Sequence, residues 1–233
     1  MKILGIDTTT KFLCLGIYDG SKVYEYNMDL GKAQSSLLVP TIKRALDALG
    51  RSIGDIDYFA CGLGPGSFTG VRVGMSTIKG FAWSINKPVL GISTLDILAK
   101  NIKINDGFIV PIIDAKRNLI YSSIYKAKRG TLKRIMPYML LTKDEFFKKA
   151  KPYSIVLGDA VGLYKEDILR NIKGVNLLDK DCWYPKAHNI ITLALEKIKA
   201  KNWDNAFDIR PIYLYPQECQ IRKSVTSKSV TRN

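Results

Sequence analysis

Asp7 stands at the end of a short apolar run, Lys2-Ile3-Leu4-Gly5-Ile6, and three hydroxyl residues, Thr8-Thr9-Thr10, follow it before Phe12–Tyr18 resumes the apolar pattern. A strand, a carboxylate, a polar turn and a second strand make a unit that can cradle phosphate. Hydroxyls and backbone N–H groups donate to the anion while the carboxylate orders hydrated magnesium. Asp7, Thr8 and Thr9 are therefore candidate cofactor-binding residues; the plainer reading is that Asp7 ends a strand and organises its turn. The unit recurs as Ile109–Asp114 followed by Leu119–Tyr125. Laid 107 residues apart without a gap, Ile6 falls on Ile113, Asp7 on Asp114, Ile17 on Ile124 and Tyr18 on Tyr125. The second turn, Ala115-Lys116-Arg117-Asn118, lacks the small hydroxyl and glycine residues of the first, which argues against a nucleotide gripped from both sides.

Other chemistries are excluded by count and spacing. The chain has one histidine, His188, so a two-histidine metal site is impossible. A Ser-His-Asp triad would need His188 together with a nucleophile elbow, and the nearest candidate, Gly66-Ser67-Phe68-Thr69-Gly70, lacks the central serine. The glycine-rich stretch from Gly64 has no Gly-Lys at Walker A distance and no dinucleotide-binding spacing. It reads as a tight strand-to-helix turn whose helix start could receive an anion. The four cysteines, Cys14, Cys61, Cys182 and Cys219, contain no C-x-x-C pair, which fits reduced thiols in a cytoplasm. No metal ligand set and no catalytic residue is expected.

The elements that must position these residues follow from periodicity. Strands are expected at Lys2–Ile6, Phe12–Tyr18, Val23–Tyr26, Tyr58–Gly62 and Pro88–Ile92, and helices from Ser35 or Ser36 to Leu49, from about Gly70 to Ser84 and at Thr94–Lys100. After a boundary near residue 104 the strand-turn-strand order restarts. It continues with a helix at about Thr142–Ala150, a strand at Ser154–Gly158 and a helix at about Ala187–Lys199. The expected fold class is α/β, two related halves, each a mixed sheet flanked by helices, over residues 1–104 and 105–233. The final polar stretch, Thr226–Asn233, is expected to fray.

The 233 residues carry 36 Lys plus Arg against 21 Asp plus Glu, a net charge of +15. The excess is local: residues 115–151 hold eleven bases and two acids, whereas residues 1–100 hold eleven and eight. Such clustering can hold a polyanion by releasing its counterions, which makes nucleic acid a candidate partner and Lys126, Lys128 and Arg129 candidate contacts. The alternative is a merely lysine-rich solvent face. No apolar run approaches the roughly 18 residues that span a bilayer, and no separate leader-like segment follows Met1, so a cytoplasmic protein without a membrane partner is expected.

Gly5-Ile6-Asp7-Thr8, Ser36-Leu37-Leu38-Val39-Pro40, the stretch Gly64–Gly74 with Lys79-Gly80, Ile113–Arg117 and Pro211-Ile212-Tyr213-Leu214 together resemble the bacterial TsaB (YeaZ) family, from residue 1 to about 216. The resemblance implies two actin-like (ASKHA), RNase-H-like halves and a role in making N6-threonylcarbamoyladenosine beside the anticodon of tRNAs that read codons beginning with A. It implies a non-catalytic scaffold that pairs with a longer paralogue, TsaD, which carries metal-binding histidines; the ATPase TsaE joins them, tRNA is reached through the complex, and the chain alone forms a homodimer. No cofactor is expected on the chain alone, with ATP or ADP possible at the partner interface. Gln34-Ser35 stands where the family often shows His-Ser. The implied interface uses the two N-terminal helices, with Leu38, Ile42, Leu46, Arg72, Gly74, Met75 and Lys79 as candidate contacts, although their apolar members could equally fill the chain's own core. The alternative function is an autonomous ATP-dependent phosphotransferase of the sugar-kinase type, against which the second hairpin and the short chain both argue.

Overall fold

The computed structural model describes residues 1–215; the polar stretch Thr226–Asn233 and Cys219 lie outside them. β1 (Ile3–Asp7), β2 (Phe12–Tyr18) and β3 (Val23–Asp29) form an antiparallel meander. After α1 (Gln34–Ala48) the chain adds β4 (Tyr58–Gly62) parallel to β1, and after α2 (Phe68–Ser84) it adds β5 (Val89–Ile92) parallel to β4. The order across this sheet is β3-β2-β1-β4-β5.

α3 (Thr94–Ala99) then leads into β6 (Asp106–Asp114), whose antiparallel neighbour is split into β7 (Leu119–Ser122) and β8 (Tyr125–Lys128). One register holds on both sides of the split, because Ile112 faces Ser122 and Ile109 faces Tyr125. The ladder lapses opposite Pro111, which has no N–H to give. The following pair, β9 (Thr131–Arg134) on β8 and β10 (Met139–Thr142) on β7, is offset by two residues at the intervening Ile135–Tyr138 bend. α4 (Lys143–Lys149), β11 (Ile155–Leu157), α5 (Val161–Asn171), β12 (Asn176–Leu177) and α6 (Ala187–Lys199) complete the elements. The main path of the second sheet, β10-β7-β6-β11-β12, repeats the order of the first.

Both faces of the first sheet are covered, which is why its central strands read as nearly continuous apolar runs. Leu4, Ile6, Leu13, Leu15 and Ile17 face Leu38, Ile42 and Leu46 of α1 and Ile78 and Ala82 of α2. The other face, with Ile3, Cys14, Ala60 and Leu90, packs on Ala187, Ile190, Ile191 and Ala194 of α6. Gly5 and Gly16 lie opposite each other across β1 and β2 and form the seat of that helix. A Cβ on Gly16 would come within 3.0 Å of Ala187 O. Among the described residues, α6 returns to the first sheet and closes its second face.

Between the sheets lies α3. It turns Ile97 toward the α6 layer and Leu95, Leu98 and Ala99 toward the second sheet. Its Asp96 carboxylate accepts hydrogen bonds from Tyr125 Oη at 2.6 Å and Tyr138 Oη at 2.7 Å. The outer face of the second sheet packs Val110, Ile112 and Ile120 against Phe146 of α4 and Ile168 of α5.

The gapless alignment of the two halves holds for their first strands but slips in the second. Asp7 faces Cys14, whereas Asp114 faces Ile120, so the second hairpin turn is one residue shorter. Because side chains alternate faces, the shared Ile17/Ile124 and Tyr18/Tyr125 identities are not equivalent positions.

Candidate functional site: a sealed carboxylate beside an interdomain cleft

The Asp7 side chain is turned into the protein, with 1% of its surface exposed. Its Oδ1 accepts hydrogen bonds from Thr9 N at 2.8 Å and Thr9 Oγ1 at 2.6 Å, and its Oδ2 from Thr94 Oγ1 at 2.7 Å at the start of α3. Gly62, at the end of β4, leaves room for the carboxylate that any Cβ would occupy. Burial raises the Asp7 carboxyl above its usual 3.8, while the Thr9 and Thr94 hydrogen bonds pull the other way.

The glycine-rich turn folds onto the same three residues. Thr8 Oγ1 donates to Gly70 O at 2.7 Å, Ser67 N donates to Thr9 O at 2.7 Å, and Ser67 Oγ caps α2 by accepting from Gly70 N. A Cβ at Gly70 would overlap Thr8 O, at Gly66 it would meet Thr9 O at 2.6 Å, and at Gly74 it would overlap Thr8 Oγ1. These glycines let α2 lie directly on the Thr8-Thr9 turn.

That packing corrects the expectation for Asp7 and Thr8, neither of which lines the cleft between the halves. Thr9 and Thr10 do. The cleft has a volume of about 770 Å³ and is bounded on the first-half side by Lys11, Gln34, Ser67 and Phe68, on the second-half side by Asp114, Lys116, Arg117, Tyr121 and Asp159, and also by Tyr184, Tyr213 and Tyr215. Asp114 accepts from Lys116 N at 2.8 Å and from Lys116 Nζ, and its own N donates to Asp159 Oδ1 at 2.9 Å. Burial pushes the Asp159 carboxyl up, and the Asp114 hydrogen bond holds Lys116 more firmly protonated. Lys116, Arg117 and Asn118 all have positive φ, at 63°, 52° and 59°. Three successive non-glycine residues in the left-handed region cost roughly 1 kcal/mol each.

The candidate interface residues divide by helix face. Leu38, Ile42, Leu46, Gly74 and Met75 are buried in the chain's own core and on the Thr8 turn, so they present nothing to a partner. Arg72 is exposed and Lys79 half-buried. The outward residues are others: Leu37 (41% exposed) and Val39 (47%) on α1, and Phe68, Ser76, Gly80 and Trp83 (69%) on α2. Arg72 is fixed there, its guanidinium 3.8 Å from the Phe68 ring centroid and its Nε donating to Tyr213 Oη at 2.9 Å.

Lys126, Lys128 and Arg129 fall on the β8–β9 hairpin, all exposed, with Lys126 directly opposite Lys133. Arg129 and Gly130 make its two-residue turn, both at positive φ. None of the three forms an ion pair among the described residues. His188 is a helix-end residue: Glu25 on β3 accepts from its backbone N and meets its Nδ1, each at 3.1 Å. Among the described residues no three His, Cys, Asp or Glu side chains gather as a metal site, and no helix is long and apolar enough to cross a membrane.

Two sheets with one strand order, joined across a cleft, define the actin-like class of two-half α/β proteins. Over residues 29–160 the sequence matches the family model TsaD, tRNA N6-adenosine threonylcarbamoyltransferase. It is 34% identical over 176 residues to the tRNA threonylcarbamoyladenosine biosynthesis protein TsaB of Bacillus subtilis, covering 72% of this chain and 77% of that one, and 26% identical over 226 residues to TsaB of Haemophilus influenzae, covering 92% and 93%. The solved structure of YeaZ from Pseudomonas aeruginosa superimposes with a TM-score of 0.80 at 25% identity, over 91% of this chain and 99% of that one. The chain belongs to the TsaB (YeaZ) family of tRNA threonylcarbamoyladenosine biosynthesis proteins.

Gly70→Ala is expected to destabilise the protein by about 1–3 kcal/mol, because the added methyl overlaps a backbone carbonyl. Gly80→Ala, with nothing within 4 Å of its Cβ, should stabilise α2 by about 0.5–1 kcal/mol. Urea unfolding of the two variants separates these effects. A raised folded-state pKa means that the contribution of Asp7 is full below its unfolded value of about 3.8 and is lost as pH rises through the folded value. Asp7→Asn has no such loss. The stability of the variant relative to the parent should therefore climb with pH above about 4, by at most ~1.4 kcal/mol per unit; unfolding curves from pH 4 to 7 giving a flat difference would contradict this.

Proposed function

We propose that this chain is the non-catalytic scaffold subunit of the machinery that makes N6-threonylcarbamoyladenosine next to the anticodon of tRNAs reading codons that begin with A, and that it acts by binding the catalytic paralogue TsaD. The observation that carries the reading is the burial of Asp7. The first-half carboxylate that would order a metal-bound phosphate is spent on tying its own turn to α3. An autonomous phosphotransferase needs that group facing the cleft, so the same burial argues against the alternative.

The binding surface is the outward face of α1 and α2: Leu37 and Val39 on one helix, and Arg72, Ser76, Lys79, Gly80 and Trp83 on the other. Small residues at Ser76 and Gly80 let a partner helix approach closely, and the aromatic rings flanking them supply buried area. The same face serves a homodimer when TsaD is absent, and ATP or ADP belongs at the partner interface. The TsaE ATPase completes the assembly, and the chain works in the cytoplasm. The exposed cations of the β8–β9 hairpin, Lys126, Lys128 and Arg129, supply phosphate contacts to tRNA held by the complex.

Trp83→Ala is expected to cost roughly 2 kcal/mol of TsaD binding, and Ser76→Arg to abolish co-purification, with both variants melting like the parent. Retained complex in both would refute the surface. Reversing Lys126, Lys128 and Arg129 to Glu should weaken tRNA binding by the assembled complex and flatten the slope of log affinity against log salt by about 2–3; an unaltered slope would remove the hairpin from the RNA path.

A further inference from the structure

We propose that segment 209–215 is a strap that holds the two halves at one opening, and that Arg72 is the point on the outward face of α2 from which its hold is set. The inference rests on contacts within this chain and is independent of the partner proposed above.

The segment belongs to no helix or strand, so side chains and isolated backbone bonds must hold it. Its near end is fixed to the first half. Ile209 is buried in the first core and settles over Gly91, where a Cβ would stand 3.1 Å from Ile209 Cδ1. Ile212 N donates to Leu63 O at 2.8 Å, just past the end of β4. Pro211, with its φ locked, leaves little slack between these two anchors.

The far end is fixed to the second half. Tyr215 Oη donates at 2.7 Å to Ala115 O, and the three residues after Ala115 are those of the left-handed turn. The Tyr215 ring meets Tyr121 edge-on at 6.1 Å, and Leu214 packs beside it on the cluster of Ile113, Ala115 and Tyr121. Fully extended, the three steps from Ile212 to Tyr215 reach only about 10 Å between Cα atoms. The halves cannot part along this line while both anchors hold.

Tyr213 stands between the anchors, and α2 controls it. Its ring packs on Phe68 at 5.3 Å, its Oη accepts from Arg72 Nε at 2.9 Å, and the guanidinium lies 3.8 Å from the Phe68 centroid and 5.9 Å from that of Tyr213. One cation thus clamps two rings. Both rings line the cleft while Arg72 is exposed on the other side, so an acidic group presented to the outward face of α2 competes for the guanidinium without entering the cleft. Loss of the clamp frees Tyr213 and gives the strap slack. Ile212 also lines a second cavity, of about 470 Å³, bounded by Arg134, Tyr138 and Lys197. The strap is therefore the partition between two cavities, and its release joins them.

Spin labels on Lys22→Cys and Lys151→Cys, exposed positions in the first and second halves, report the separation of the halves in the full chain by double electron–electron resonance. Cys182→Ser and Cys219→Ser leave Cys14 and Cys61, both buried, as the other thiols. The parent should give one narrow distance distribution. Tyr215→Ala should broaden it, and Arg72→Gln should broaden it by a smaller amount, at a temperature where every variant is folded. If Tyr215→Ala does not fold, Tyr215→Phe, which keeps the ring and loses the hydroxyl, decides in its place. A broad distribution in the parent, or parental width in the Tyr215 variant, would overturn the strap; parental width in Arg72→Gln would overturn its control from α2.

Discussion

A buried carboxylate with three hydrogen bonds is the constraint on which the arrangement of this protein depends. Left unpaired, Asp7 would cost several kcal/mol in so dry a position; satisfied by Thr9 and Thr94, it joins β1, the turn that follows and α3. α3 is also the layer between the two sheets, and its Asp96 bonds Tyr125 and Tyr138 of the second half, so Asp7 is one link in the chain of contacts that joins the halves. The adjoining Thr8 and Thr9 atoms then seat α2 through Gly66, Gly70 and Gly74. A motif whose residue types suit phosphate chemistry is thus used as a structural knot.

The knot divides the surfaces of α1 and α2. Their apolar stripes are consumed by the first sheet, and α2 has one glycine face consumed by the Thr8 turn. What remains outward is a mixed face of aliphatic, aromatic, cationic and small residues, too apolar at Trp83, Leu37 and Val39 to be an ordinary solvent face and suited to a helical partner. The cleft is lined by Tyr121, Tyr184, Tyr213 and Tyr215 and by Arg117, which forms no ion pair among the described residues. The outward helix face and the cleft are separate features of one fold.

Much of the fold was legible because strands buried on both faces read as apolar runs: β2 and β4 match their expected spans, and α2 and α6 follow their apolar periodicity to within two residues. α5 was not legible, since only Val161 and Ile168 of its eleven residues are buried and Tyr164 breaks its helical dihedrals. The β9 and β10 strands are short, half-exposed and displaced by the bend before Tyr138, so they carry no clean alternation. At the site, the strand-turn-strand pattern singled out Asp7, Thr8 and Thr9 but could not say what they touch. Thr94, the partner that seals Asp7, lies 87 residues away. Periodicity finds the apolar stripe of a helix, and that stripe faces the core: Leu38, Ile42, Leu46 and Met75 lie on it, whereas Leu37, Val39 and Trp83 face outward. Asp159 was missed because a lone acid after a short strand has no motif, although its position after Gly158 marks a tight approach to Ile112 O.

The most direct test of a structural rather than chemical Asp7 is threonylcarbamoyl transfer to tRNA by TsaD reconstituted with the Asp7→Asn chain, at a temperature where that chain is fully folded. Asn keeps the size of the side chain and can accept from Thr9, so the account predicts transfer at the parental rate and unchanged complex formation. Loss of transfer with the complex intact would contradict it, because the Asp7 carboxylate would then be doing chemistry that its burial is argued to forbid.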